Sequence, residues 1–104
     1  FLLERAIENL CKNARNGGAT KIRIAAQHDG SRVDIHIEDN GRSLDPGDVE
    51  RIFEVGCSRS GSTGLGLHAV ATTVAACRGE VRCVPLSGGT RFTISLPRAE
   101  LARA

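Results

Sequence analysis

The chain of 104 residues, 40% of them hydrophobic and 25% charged, has enough apolar material for one globular domain with a single modest core, and this excludes a disordered chain. Its formal net charge of +2 is spread over interspersed acids and bases. With three Phe and no Trp or Tyr, it has little to stack on bases, so a dedicated nucleic-acid binder is disfavoured. No signal peptide and no apolar run of membrane-spanning length occurs, so the domain itself is not expected to insert in a bilayer.

Residues 1 to about 15 carry Leu3, Ala6, Ile7, Leu10 and Ala14 at three- and four-residue steps, the pattern of an amphipathic helix with those side chains in the core. The helix begins at Phe1 without an initiator Met, so the chain reads as a piece of a longer protein. Asn9 and Asn13, four apart, lie one above the other on a neighbouring face. Gly17 and Gly18 stop the helix. Ile22, Ile24 and Ala26, then Val33, Ile35 and Ile37, alternate with more polar neighbours, predicting two half-buried strands. Asp29-Gly30 between them is a tight-turn signal, so the strands should form an antiparallel hairpin.

Asp45-Pro46 has the chemistry of a helix start, with Asp as cap and Val49, Ile52 and Phe53 as the apolar side. Residues 56–64, rich in Gly, Ser, Cys and Arg, read as a mobile loop. A second long helix is expected from about Leu65 to Ala76, with Leu67, Val70, Ala71 and Val74 on one face and Gly79 beyond its end. Val81, Cys83 and Pro85, a Ser87-Gly88-Gly89 turn, and Phe92, Ile94 and Leu96 complete a second pair of strands, closed by Pro97. The expected fold is α+β: a two-layer sandwich whose mixed, mainly antiparallel sheet is covered on one face by helices.

The cysteines Cys11, Cys57, Cys77 and Cys83 show no C-x-x-C spacing and no histidine in metal-ligand register, which favours reduced thiols over a structural zinc. Two other stretches carry chemistry. Ile37-Glu38-Asp39-Asn40-Gly41 ends a strand with a carboxylate beside a glycine turn. Gly61-Ser62-Thr63-Gly64-Leu65-Gly66-Leu67 opens a helix, where backbone N–H groups and the helix dipole can hold phosphate. Alone, the first is a common solvated turn and the second a flexible loop; together they suggest a nucleotide site.

These motifs fall in an order that resembles the GHKL superfamily with its Bergerat nucleotide fold, shared by sensor histidine kinases, the DNA gyrase B subunit, the ninety-kilodalton heat-shock chaperone and MutL-type repair proteins. Glu8-Asn9-Leu10-Cys11-Lys12-Asn13-Ala14 is similar to the N-box. Asp39-Asn40-Gly41-Arg42-Ser43 resembles the first glycine box, Ile52-Phe53-Glu54 the F-box and residues 61–67 the second glycine box. Gly88-Gly89-Thr90-Arg91-Phe92 followed by Leu96-Pro97 looks like the closing hairpin of the kinase members. The resemblance spans Phe1 to Pro97 and identifies residues 1–104 as one histidine-kinase-like ATP-binding domain, truncated at its N-terminus.

The resemblance implies ATP and Mg²⁺ as ligands. Asp39 would accept a hydrogen bond from the adenine amine, and Thr90 would share a water with it. Asn9 and Asn13 would be the catalytic pair, with the Asn13 amide oxygen on the metal and Asn9 on a metal-bound water or phosphate. Hydrolysing relatives carry Glu at the position of Asn9; an amide cannot take a proton there, which points to phosphoryl transfer. Gly41, Ser43, Gly61, Ser62, Thr63, Gly64, Leu65, Gly66 and Leu67 would approach the nucleotide, with Lys12 and Arg59 as phosphate-facing cations. Residues 42–63 would form a lid, expected to be disordered without ligand, and Phe53 its apolar anchor.

Ser43 stands where the glycine box has its second Gly, which implies a different turn or a weaker nucleotide contact. His28, His36 and His68 do not fit a phosphoacceptor, so the accepting His would lie on a separate dimerisation domain, with a response regulator downstream. The domain would be cytoplasmic even in a membrane-anchored parent. An anti-sigma-factor-type serine kinase and a degenerate, non-catalytic interaction module remain as alternatives.

Overall fold

The computed structural model describes residues 2–53 and 66–103. Helix α1 (Leu2–Asn16) is followed by strands β1 (Ile22–His28) and β2 (Arg32–Asp39), a single 3-10 turn (Pro46–Asp48), helix α2 (Gly66–Ala76), strands β3 (Glu80–Leu86) and β4 (Gly89–Pro97), and a short helix α3 (Arg98–Arg103). The strands lie in the order β1-β2-β4-β3, and all three described pairings are antiparallel. Helices α1 and α2 pack on each other and against one face of the sheet, α1 on β2 and α2 on β3, which makes the expected two-layer sandwich.

The periodicities place the core as expected. Leu3, Ala6 and Leu10 of α1 and Leu67, Val70 and Val74 of α2 meet Val33, Ile35 and Ile37 of β2 and Phe92, Ile94 and Leu96 of β4. Each fully buried side chain of this size contributes about 1.5–3 kcal/mol. The central strand β4 is buried on both faces, since Thr93 and Ser95 on its polar side are covered by neighbours. His36 Nδ1 lies 2.9 Å from Thr93 Oγ1, and Ser95 donates to Asp34 Oδ1 at 2.6 Å.

Three expectations are corrected. The apolar face of β1 is not buried: every residue from Arg23 to His28 is exposed, Ile24 by 53%. β1 is an edge strand, and the helices pack principally over β2 and β3. Asp45 makes no side-chain cap, and the helix expected after Pro46 is one 3-10 turn. The first half of the expected lid is packed down instead of free: Leu44 and Ile52 are buried, and the Phe53 ring meets Phe92 edge-on at 6.0 Å. The loop expected over residues 56–64 lies outside the described residues.

The two long helices end in the same way with different residues. After α1, Gly18 (φ 87°) turns left-handed, and Gly18 N–H and Ala19 N–H donate to the Arg15 and Ala14 carbonyls. After α2, Arg78 (φ 61°) takes that position, and Arg78 N–H and Gly79 N–H donate to the Ala75 and Val74 carbonyls. Gly79 is required for a different reason, since a Cβ there would run into the Ser95 carbonyl oxygen and the Leu96 side chain. A left-handed non-glycine residue costs about 1–2 kcal/mol. The ion pair of Arg78 with Glu100, 3.8 Å long with the Arg side chain 80% exposed, offsets little of that. Arg78→Gly should therefore stabilise the domain, raising Tm by roughly 3–6 °C in a thermal melt.

Candidate functional site

Asp39 is the last residue of β2 and sits opposite Thr90 in the β2–β4 register. Both are buried, Asp39 to 6% exposure and Thr90 completely. The chain turns sharply after Asp39, and its Oδ1 accepts the Gly41 N–H at 2.8 Å. Among the described residues its other oxygen, Oδ2, receives no hydrogen bond. One oxygen of the carboxylate is thus held by the turn and the other is left as an acceptor that a donor on a ligand can reach.

The residues after Asp39 are pinned on two sides. Towards α1, Asn40 Oδ1 accepts the N–H groups of Thr20 and Lys21, both at 2.9 Å, and Asn40 Nδ2 donates to Thr20 Oγ1 at 3.0 Å. Arg42 N–H donates to the Gly17 carbonyl at 2.9 Å. Gly41 is demanded by space rather than by φ: a Cβ would lie 3.0 Å from both the Ala19 nitrogen and the Gly17 carbonyl oxygen. Towards the β3–β4 hairpin, Ser43 Oγ donates to the Leu86 carbonyl at 2.9 Å and Thr90 Oγ1 to the Arg42 carbonyl at 3.4 Å. Ser43 does not adopt a positive φ, so its replacement of the glycine introduces no backbone strain. Its hydroxyl is a tether between this segment and the hairpin.

Helix α1 supplies the second part. Asn13 is 7% exposed, and its Nδ2 is a buried polar atom with no partner among the described residues. Native interiors rarely leave such a group unpaired without an ion, water or ligand to meet it. An amide rotated half a turn about its last bond presents oxygen in place of nitrogen, so this position fits either a phosphate oxygen or a cation. Asn9, one turn earlier, is half-buried and Lys12 is exposed. Gly66, the first residue of α2, is exposed with open space where a Cβ would be. Leu67 is 6% exposed and its side chain packs in the core. Arg59, Gly61, Ser62, Thr63, Gly64 and Leu65 lie outside the described residues.

Sequence reasoning missed Asn40 and Gly89. A Cβ on Gly89 would overlap the Asp39 carbonyl group, so β4 can start beside Asp39 only because residue 89 has no side chain. The signal was present in the Gly88-Gly89 pair but did not say which of the two the fold requires.

A sheet with helices on one face, a buried strand-end carboxylate followed by a tight glycine turn, and a buried amide on the facing helix define an ATP-binding domain of the kind found in sensor kinases. Residues 1–100 match the family model of histidine kinase-, DNA gyrase B- and HSP90-like ATPases, and the chain belongs to that family. It is similar to the sensor histidine kinase CpxA of Escherichia coli, 38% identical over 104 residues covering 91% of this chain and 22% of that protein. Among solved structures, the ATP-binding domain of PrrB from Mycobacterium tuberculosis superposes with TM-score 0.78 at 31% identity over 92% of this chain and 66% of that one. Full-length ShkA in complex with AMPPNP gives TM-score 0.81 at 30% identity over 92% of this chain and 21% of that one. The chain spans between 12% and 28% of the length of the curated relatives compared with it.

Proposed function

We propose that this chain is the nucleotide-binding catalytic domain of a two-component sensor histidine kinase, which binds Mg-ATP and presents its γ-phosphate to a histidine on a separate domain. The observation that carries the reading is the buried Asp39 carboxylate with its unclaimed Oδ2, at the end of a strand whose next residues are tied to the end of α1. A 6-amino purine offers the N–H donor this oxygen lacks, whereas a 6-oxo purine offers another acceptor. Thr90, directly opposite, would support the same end of the base through a shared water.

At the phosphate end, Asn13 would contact Mg²⁺ through its oxygen, and Asn9 would hold a metal-bound water or a phosphate oxygen. Bound magnesium would neutralise the phosphate oxygens during transfer. Lys12, with its exposed ammonium on the same helix, and Arg59 would add positive charge. The backbone of Gly41 and residues 61–67 would approach the nucleotide without side-chain obstruction, and Ser43 would hold the start of this wall against the hairpin. The amide at Asn9 cannot act as a general base for water, which favours phosphoryl transfer to a protein acceptor over hydrolysis.

The names of the relatives support histidine rather than serine as acceptor. The partners would be a dimerisation domain carrying that histidine and a response regulator that takes the phosphoryl group from it. No helix among the described residues is long and apolar enough to cross a membrane, and a cytoplasmic placement follows from the need for ATP. The test is calorimetric titration of the chain with ATP and Mg²⁺, then incubation with radiolabelled ATP and a sensor-kinase dimerisation domain. Saturable binding and label on the added histidine are expected. Absence of binding would overturn the reading in favour of an interaction module.

A further inference from the structure

We infer that Asn40 is a positioning residue that holds the two ends of the nucleotide site in register, an inference that rests on the function proposed above. The base end, Asp39, belongs to β2, and the metal end, Asn13, belongs to α1. The sheet does not connect them. The β1–β2 pairing stops at Ile22 opposite Asp39, and the chain leaves the sheet on the next residue. Beyond that point the turn and the segment following α1 are joined chiefly through one side chain. Asn40 Oδ1 spends both lone pairs on the N–H groups of Thr20 and Lys21, and its Nδ2 holds the Thr20 hydroxyl. Its own N–H donates to the Lys21 carbonyl at 3.3 Å. The neighbouring Arg42-to-Gly17 bond and the close fit of Gly41 on Gly17 and Ala19 depend on that turn staying where Asn40 puts it.

An amide suits this task because it accepts and donates from one planar group. The contacts are exposed, so the backbone groups released by truncation can be met by water and the fold does not depend on them. Binding of a ligand that bridges both ends does depend on them, because a shift of the turn moves Asp39 relative to α1. The Asn40 amide is committed to Thr20 and Lys21. It acts through Asp39 and through the α1 end.

The experiment compares the wild-type chain with Asn40→Ala and Asn40→Asp. Affinity for Mg-ATP is measured by calorimetry, preference for ATP over GTP by competition, and folding by thermal melting. Asn40→Ala should weaken Mg-ATP binding about tenfold and narrow the purine preference while melting within a few degrees of wild type, as expected for one or two lost hydrogen bonds of directional value. Asn40→Asp keeps the acceptor for both N–H groups, and the Thr20 hydroxyl can turn to donate to it, so affinity should return to within about threefold of wild type. Wild-type binding with unchanged affinity and preference in Asn40→Ala would overturn the inference and leave the function standing, as would an equal loss in both variants. Failure of the wild-type chain to bind Mg-ATP would overturn the function and the inference with it. Should Asn40→Ala fail to fold, the Asp variant decides alone: wild-type-like binding supports the assignment and a full loss overturns it.

Discussion

Replacing Asp39 with Asn should change which purine the domain prefers. The variant keeps an Oδ1 to accept the Gly41 N–H, so the turn and the β2–β4 register should survive, and the melting temperature should move little. What changes is the unclaimed position, where a carboxylate oxygen becomes an N–H₂ group. Facing the amine of adenine, donor then meets donor, and the charge-assisted hydrogen bond is lost. Such bonds contribute about 1.5–3 kcal/mol, so affinity for ATP should fall roughly ten- to a hundredfold. A 6-oxo purine should gain, because its carbonyl can accept from the new N–H₂. Asp39→Ala should lose ATP binding without that gain and should loosen the turn as well. Competition of ATP against GTP or inosine triphosphate reads the difference. Unchanged ATP affinity and preference in Asp39→Asn would show that the base is read elsewhere.

The second large effect is expected at Gly89. A methyl group there has no room: its carbon would overlap the carbonyl of Asp39, which is backbone and cannot rotate aside. The paired strands would have to separate at the point where Asp39 faces Thr90. Forced overpacking of a rigid site costs about 3 kcal/mol or more, so Gly89→Ala should lower Tm by over ~10 °C in this small domain, and nucleotide binding should fail even where the variant remains folded. Gly88, one residue earlier, has open space for 4 Å around the place a methyl carbon would take and no positive φ, so Gly88→Ala should stay within about 0.5 kcal/mol of wild type. Thermal melts of the two variants side by side provide the contrast. Equal behaviour would mean that the hairpin does not pass Asp39 as closely as described.

Neighbouring residues of one motif differ in how much of their role could be foreseen. Asp39 and Asn13 were legible only through the ordered motifs of the resemblance; alone, a carboxylate before a glycine turn reads as a solvated turn and two amides a helical turn apart as a face beside the apolar one. That both are buried came from the fold. Asn40, between Asp39 and Gly41, looked like a turn residue, since nothing local shows that its amide meets a segment nineteen and twenty positions away. Ser43 looked like a defect in a glycine box. It proves to be a donor to Leu86, forty-three residues on, a contact that exists only because the hairpin folds back over the turn.

The same division runs through the whole domain. Alternation and helical spacing were enough to assign both long helices, four strands and most of the core, because those patterns follow from the geometry of each element and the need to remove apolar surface from water. Local pattern carries no information on the order of strands within a sheet, and that order decided the remainder. With β1 at the edge, Ile24 keeps a core-like pattern and yet faces solvent. With β4 at the centre, Thr90 comes to lie against Asp39 and Gly89 becomes indispensable. Burial and close approach are properties of pairs of distant segments, so they emerge only when the chain has folded.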